Sequence, residues 1–308
     1  MKFVTRLLLA SIALLPLHTK AQDAYHQEIK KYASALHSSF TKTQQFAGLL
    51  AFSDTSRLKW NNLPVGMRAR AGTSIGHMNN DQRRLVHRLL SASLSSQGYL
   101  KATGIMHLDE LINGFYDSLY ARKAINESTH RFVVGLKWSP KNYYFAFFGS
   151  PADRQWGYKL EGHHLSLNFT FNDNQISVTP FFVGTDPAEY LVSEYAGWRV
   201  LGQEEDMALR LINLLNADQK KKAVASSEVP SDIITGAESG KRLIDNWGIP
   251  ARELTAEQQD LLQRLVKEFV FNLEYEKAAA EYEKIQKAGL DKIYFGWIGG
   301  LEEKQAHY

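Results

Sequence analysis

The 308-residue chain contains no cysteine. That absence excludes disulfides, thiolate zinc sites, iron–sulfur clusters and cysteine nucleophiles together. Short motifs of several enzyme classes are also missing: the sequence has no P-loop, no GxGxxG, no HExxH and no Gly-x-Ser-x-Gly elbow at Ser166.

Long apolar runs are confined to the N-terminus. Residues 7–17 form an apolar stretch of the length typical of a signal-peptide core, and Lys2 and Arg6 precede it. We expect residues 1–21 to be a cleaved signal peptide, with export to the periplasm or the extracellular space. Residues 22–308 then form a single mature domain. No later run approaches the roughly 18 apolar residues of a membrane-spanning helix, so we expect no transmembrane anchor.

Neither sign of charge dominates the mature chain. The full sequence has 36 Lys and Arg residues against 33 Asp and Glu. Lys2, Arg6 and Lys20 lie in the signal segment and no acidic residue does, so 36 less three leaves 33 basic residues against 33 acidic ones. Because there is no basic excess, nucleic acid is not expected as a partner.

Helices are predicted on both sides of a central strand region. Asn79, Asn216 and Thr255 each precede a glutamine by three residues, which is the capping-box arrangement of a helix start. Because these segments lie at irregular separations and diverge after the cap, we attribute them to shared cap chemistry and not to an internal repeat. Other helices are predicted from apolar spacing over residues 23–50, 186–188, 204–215 and 255–288.

The central region is rich in β-branched and aromatic residues separated by turn formers. The link Asn172-Asp-Asn174 suits a tight hairpin, since Asn and Asp tolerate positive φ. Successive strands with short links indicate an antiparallel meander. We therefore predict an α+β domain, with helices before and after the meander packed on its sheet. The predicted strands are residues 132–138, 143–148, 156–171, 175–182 and, near the end of the chain, 290–298.

Two adjacent histidines lie in the strand predicted over residues 156–171. Alternation places Glu161 and His163 on a mostly apolar face, and His164 on a polar face with Ser166 and Asn168. Neighbouring strand residues point to opposite sides, so His163 and His164 cannot both ligate one metal unless a bulge rotates one of them. The polar row could line a groove, bind a metal in part, or face water.

Two functional interpretations follow from these residues. In the first, His163, His164 and Glu161 bind a divalent metal ion in an exported hydrolase-like enzyme. Glu205, near the start of a helix, is then a general base or a further ligand. The run Glu204-Glu205-Asp206 is better explained by acidic residues that stabilise a helix N-terminus.

The second interpretation is a ligand-binding module without chemistry. Ser166 and Asn168 supply polar contacts, and Tyr144 and Trp156 offer aromatic rings for stacking on a sugar or another small molecule. His164 pointing into a cleft with other ligands would favour the metal site, whereas His164 in bulk solvent beside an aromatic groove would favour the binding module.

The run Trp156-Gly-x4-Gly-His-His-Leu-Ser-Leu-Asn-Phe169 is similar to the hallmark of an exported, mostly bacterial family of uncharacterised proteins. That family is catalogued as domain of unknown function number three thousand five hundred. The resemblance extends over roughly residues 25–308, but the family name implies no reaction. It does imply that members continue beyond the equivalent of His307-Tyr308 with a strand and an Asn-His-x-His segment. Relative to that pattern this chain is expected to be C-terminally truncated, without the partners that a metal site at His164 would have.

Overall fold

The computed structural model describes residues 24–237 and 246–308. The predicted signal peptide lies outside these residues. Within them, no helix combines the length and the apolar character needed to cross a bilayer. The helices are α1 (24–39), α2 (Lys42–Gly48), α3 (Asn80–Ser93), α4 (Ser96–Ala121), α5 (Glu127–Leu136), α6 (Gly202–Leu214), α7 (Ala217–Ala223), α8 (Ala256–Val270) and α9 (Tyr275–Ala288). The strands are β1 (Leu49–Leu50), β2 (Thr73–Ser74), β3 (Tyr144–Phe148), β4 (Gln155–Gly162), β5 (Leu165–Asn172), β6 (Gln175–Val183), β7 (Val224–Ser226), β8 (Ile249–Pro250), β9 (Tyr294–Phe295) and β10 (Trp297–Ile298).

A six-stranded sheet forms the centre of the fold. Strands β3, β4, β5 and β6 pair in sequence and antiparallel, while β1 and β2 both pair with β3. The β5–β6 link has Asp173 at a φ of +51°, the left-handed conformation expected of this hairpin. The predicted α+β class and the antiparallel meander are both confirmed.

The main core lies on one face of this sheet. Trp156 stacks on Phe171 with ring centroids 4.0 Å apart, and Tyr158 stacks on Phe169 at 4.8 Å. These aromatic rings pack against buried residues of α1, α3 and α4. A second core joins α6, α7 and α8 to β8, β9 and β10.

Four capping boxes form two matching pairs. Thr41–Gln44 faces Asn79–Gln82, and Asn216–Gln219 faces Thr255–Gln258. In each pair the glutamine amides exchange two hydrogen bonds of 2.8 to 3.0 Å. Each glutamine amide also donates to a backbone carbonyl that lies two residues before the N-cap of the other helix in its pair. These carbonyls belong to His77, Ser39, Glu253 and Leu214, for Gln44, Gln82, Gln219 and Gln258 in that order.

The strands next to these helices repeat as well. β2 pairs antiparallel with β3 as β8 does with β9, and β1 runs parallel to β3 as β7 does to β10. Gly72 and Gly248 precede β2 and β8 with φ of +112° and +102°, and a Cβ on either would lie 2.5 or 2.4 Å from the carbonyl oxygen of Phe145 or Phe295. Residues 24–149 and 202–299 therefore contain two copies of one structural unit.

This repeat overturns the interpretation that the capping segments share only cap chemistry. The repeat is hard to recognise in the sequence because the segments between the caps differ in length. Helix α4 has 26 residues whereas its counterpart α9 has 14, and α5 has no counterpart before β9. The two copies therefore cannot be recognised from the spacing of the caps in the sequence, but their matching hydrogen bonds identify them in the structure.

Several predicted element bounds were wrong. Residues 132–138, predicted as a strand, largely belong to α5, because Asn126 caps a helix that buries Val133 and Leu136 at helical spacing. The helices predicted over 23–50 and 255–288 are each two helices, since Thr41 and Glu274 start new caps. Residues 186–188 are not helical, and 290–298 contain a 3₁₀ turn and two short strands.

The paired glutamine amides predict an energetic coupling that is similar in both copies. Gln44→Ala and Gln82→Ala should each lower the free energy of unfolding by about 1–3 kcal/mol, because each leaves buried polar groups unpaired. The double variant should lose less than the sum, by about 1–2 kcal/mol. Urea unfolding of the two single variants and the double variant measures this, with the Gln219 and Gln258 variants as the matched set. Strictly additive losses in both sets would contradict the pairing.

Candidate metal centre

His163 and His164 form the two-residue turn between β4 and β5. The register pairs Gly162 with Leu165 across this turn, and His164 has a φ of +54°. The left-handed backbone at His164 brings both imidazoles to the same end of the hairpin, with ring centroids 4.0 Å apart. The prediction that they lie on one strand with opposite orientations was therefore wrong, because alternation stops where a strand turns.

A buried tyrosine supports the turn from below. Tyr143 is fully buried, and its ring lies where a side chain on Gly162 would be, since a Cβ there would come within 2.4 Å of the ring. The Tyr143 hydroxyl lies 2.8 Å from the carbonyl oxygen of His163 and 3.0 Å from Oδ2 of Asp109. Glycine at position 162 is thus required for the tyrosine to reach both groups.

Asp109 orients the imidazole of His163. Its Oδ1 lies 2.7 Å from Nδ1 of His163, and both side chains are buried. Burial raises the pKa of Asp109, and the hydrogen bond from His163 acts in the opposite direction. A proton on Nδ1 directed at this carboxylate leaves the lone pair of Nε2 free, which is the usual arrangement of a metal-ligating histidine with a carboxylate behind it.

His164 is held by its backbone and is a neutral imidazole. Its N–H donates to the carbonyl of Asn62 at 2.9 Å, and its carbonyl accepts from Gly184 at 2.8 Å. Burial, with a smaller effect of the neighbouring His163, lowers the pKa of His164 to about 3. A neutral ring keeps a lone pair available at physiological pH.

Asp186 adds a carboxylate to the two histidines. It follows β6, and its side chain is exposed. One ligand atom from each of His163, His164 and Asp186 lies within 4.8 Å of the other two. A triangle with sides of 4.8 Å places each atom about 2.8 Å from the centre, so contraction by roughly 0.7 Å reaches the Zn–N and Zn–O distances of about 2.0–2.2 Å. Rotation of the exposed aspartate supplies part of that movement, and the residues present therefore fit a divalent cation.

A family model described as "Protein of unknown function (DUF3500)" matches residues 22–308. The chain belongs to this family. No curated protein and no solved structure matches the sequence. The match confirms the predicted family, and the chemistry of the site rests on the geometry described above.

Glu161 lies elsewhere in this DUF3500 chain than alternation predicted. The two-residue turn pairs Glu161 with Ser166, so both lie on the sheet face opposite the aromatic core. There Glu161 contacts Nε of Arg70 at 3.1 Å and Nζ of Lys159 at 2.8 Å, and accepts from the N–H of Asn61 at 2.6 Å. Within the described chain it belongs to this buried ionic cluster and not to the group of potential metal ligands.

The predicted ligand-binding residues do not form an open groove. Ser166 and Asn168 are buried, and the Asn168 amide donates to the Ser166 hydroxyl at 3.0 Å. Tyr144 pairs with Glu161 across β3 and β4. Trp156 is only 4% exposed and stacks on Phe171 in the core, so its ring is not accessible to a ligand.

Glu205 contacts groups other than His164. Its carboxylate accepts from Arg199 at 2.9 Å and lies 3.7 Å from Nε2 of His307. The structure instead brings Asp109 and Asp186 to the histidines, and sequence reasoning missed both. Asp109 lies within a helix 54 positions before His163, a distance at which spacing carries no signal.

The buried ionic cluster predicts that Glu161 is important for stability. Glu161→Gln removes the only carboxylate that contacts Arg70 and Lys159 in the described structure, and should lower the free energy of unfolding by about 3–5 kcal/mol. Urea unfolding measures the change. Glu127→Gln, which affects an ion pair whose side chains are 70–78% exposed, is the matched control and should have little effect. Equal stability of the two variants would contradict the importance of this cluster.

Proposed function

We propose that this chain is an exported, metal-dependent hydrolase-like enzyme. In this proposal His163, His164 and Asp186 bind one divalent cation. The single observation that carries it is the convergence of three ligand atoms, with a buried carboxylate behind one of the two imidazoles. Export rests on the signal-peptide pattern of residues 1–21.

The ligand set supports a catalytic cation over a structural one. Structural zinc sites usually have four protein ligands, whereas catalytic sites have three and leave a position for water or substrate. Here two histidines and one carboxylate come together among the described residues. The exposure of Asp186 leaves one side of the group accessible from solvent.

The residues around the site have separable roles in this proposal. A divalent cation bound here would supply Lewis acidity, which lowers the pKa of a water molecule and polarises a carbonyl or phosphoryl oxygen. Asp109 fixes the tautomer and orientation of His163, and Tyr143 fixes the position of Asp109. The neutral His164 binds the cation without first losing a proton.

The proposal predicts hydrolysis that depends on the metal and on the two histidines. Protein freed of metal with a chelator and reloaded with Zn²⁺ should hydrolyse at least one of p-nitrophenyl acetate, p-nitrophenyl phosphate and bis(p-nitrophenyl) phosphate. His164→Gln should lower kcat/KM at least about 100-fold, because the cation loses a ligand. Asp109→Asn should weaken Zn²⁺ binding by about 10–100-fold. The rate of p-nitrophenol release and a Zn²⁺ titration measure these effects.

His107→Gln is the matched control, since His107 is a partly exposed histidine of α4 outside the group of ligands. Turnover that is unchanged by chelation or by His164→Gln would contradict the proposal. The same would follow from oxygen consumption that requires Fe²⁺, because two histidines and one carboxylate also suit oxygenase chemistry.

A further inference from the structure

A groove lies at the end of the sheet opposite the histidine turn. It has a volume of about 1010 Å³ and runs between α1, α9 and the hairpin end of β5 and β6. The eight residues of β5 lie between this end of the sheet and His164. At the usual rise of a β-strand, they span a distance of about 25 Å. The groove is therefore distinct from the candidate metal centre.

The equivalent position in the other copy of the repeat holds a smaller pocket, of about 370 Å³. There α4 carries Lys101, whose Nζ contacts Glu204 at 2.7 Å and Glu268 at 2.6 Å, so that charged side chains occupy part of the space between α4, α6 and α8. In α9, Ala280 lies as many residues after the N-cap as Lys101 does in α4. Ala280 is exposed and lines the groove. A small residue therefore lines this groove where the other copy has an ionic cluster.

A second difference between the copies is the presence of a tyrosine at the groove. Val200 packs so closely on α4 that a Cβ on Gly104 would lie 3.2 Å from it. Tyr25 lies as many residues before the cap at Thr41 as Val200 lies before the cap at Asn216, so the two residues occupy equivalent positions. Tyr25 lines the groove, is 9% exposed, and has a hydroxyl without a hydrogen-bond partner among the described residues. Burial, with a smaller effect of Glu274, raises the pKa of Tyr25, so this hydroxyl remains a donor.

The lining of the groove is polar but offers little free charge. The Nζ of Lys277 donates to the carbonyl of Ile176 and to Glu281, and Lys284 donates to Glu281 at 2.8 Å. These charges satisfy one another. The wall formed by β5, β6 and their turn includes Ile176 and Val178, and its other side chains are amides and hydroxyls, from Thr170, Asn172, Asn174, Gln175, Ser177 and Thr179.

An aromatic ring completes the lining. Tyr275, the first residue of α9, is 66% exposed and borders the groove. Amides and hydroxyls can each donate or accept toward a ligand hydroxyl, and an exposed tyrosine offers an apolar face for a sugar ring. An anion is not favoured, since both lysines of the lining already contact Glu281.

We propose that the groove between α1, α9 and the β5–β6 hairpin binds a neutral carbohydrate chain. Its volume exceeds that of one small ligand, and sites for drug-sized molecules occupy about 300–1,000 Å³. The groove holds several sugar units, with Tyr275 stacking on one ring and the amides of the hairpin contacting its hydroxyls. This site requires neither a cation nor the chemistry proposed at His163 and His164.

The test measures binding of cellohexaose, maltohexaose and chitohexaose by calorimetry. At least one of these probes should bind with a millimolar or lower Kd. Ala280→Trp should weaken binding at least tenfold, because an indole fills the groove from an exposed position that folding does not depend on. Tyr275→Ala should weaken binding by up to about tenfold, the value of one aromatic stacking contact.

Phe46→Ala is the matched control, since Phe46 is 91% exposed and lies outside the groove, and it should bind as the unchanged chain does. Absence of binding by all three probes would overturn the proposal. Affinity that survives Ala280→Trp would overturn it too, as would preferential binding of a charged oligosaccharide such as oligogalacturonate. Chelation and His164→Gln should leave binding unchanged, which separates this site from the proposed hydrolase.

Discussion

The buried contact among Tyr143, Asp109 and His163 determines the geometry of the candidate centre. Helix α4 supplies the carboxylate, the residue just before β3 is the tyrosine, and the β4–β5 turn supplies the histidine. Three distant parts of the chain therefore meet at one buried point. Unpaired polar groups are costly in such a place, so the contact fixes the turn as well as the imidazole. Glycine at position 162 allows the contact to form, because only its missing side chain lets the tyrosine ring approach.

Local chemistry in the sequence predicted much of the fold. Capping glutamines marked three helix starts correctly, and aromatic-rich segments separated by Asn, Asp and Gly predicted the antiparallel meander. Errors arose where two local signals competed. The run containing Val133 has high β-propensity, yet the cap at Asn126 and the burial of one side made it a helix. Alternation through His163 and His164 failed for a related reason, because nothing in the apolar pattern marks a two-residue turn.

The site was only half predictable, since its members are far apart in the chain. Two histidines stood out because adjacent histidines are uncommon, whereas Asp109 and Asp186 resemble ordinary helix and loop acids. Only the folded register shows that Glu161 belongs with Arg70 and not with the histidines. The internal repeat was hidden in the same way. Its two copies share caps and strand pairings but differ in the lengths of their helices.

We propose that the β4–β5 turn and Asp186 hold a divalent cation. Crystals grown with Zn²⁺ and measured above and below the zinc absorption edge would show whether it binds there. We predict one strong anomalous peak within about 2.0–2.3 Å of both imidazoles and of an Asp186 oxygen, with Asp109 still bonded to His163. A map without a peak at the turn, or with zinc bound only between Glu205 and His307, would contradict the claim.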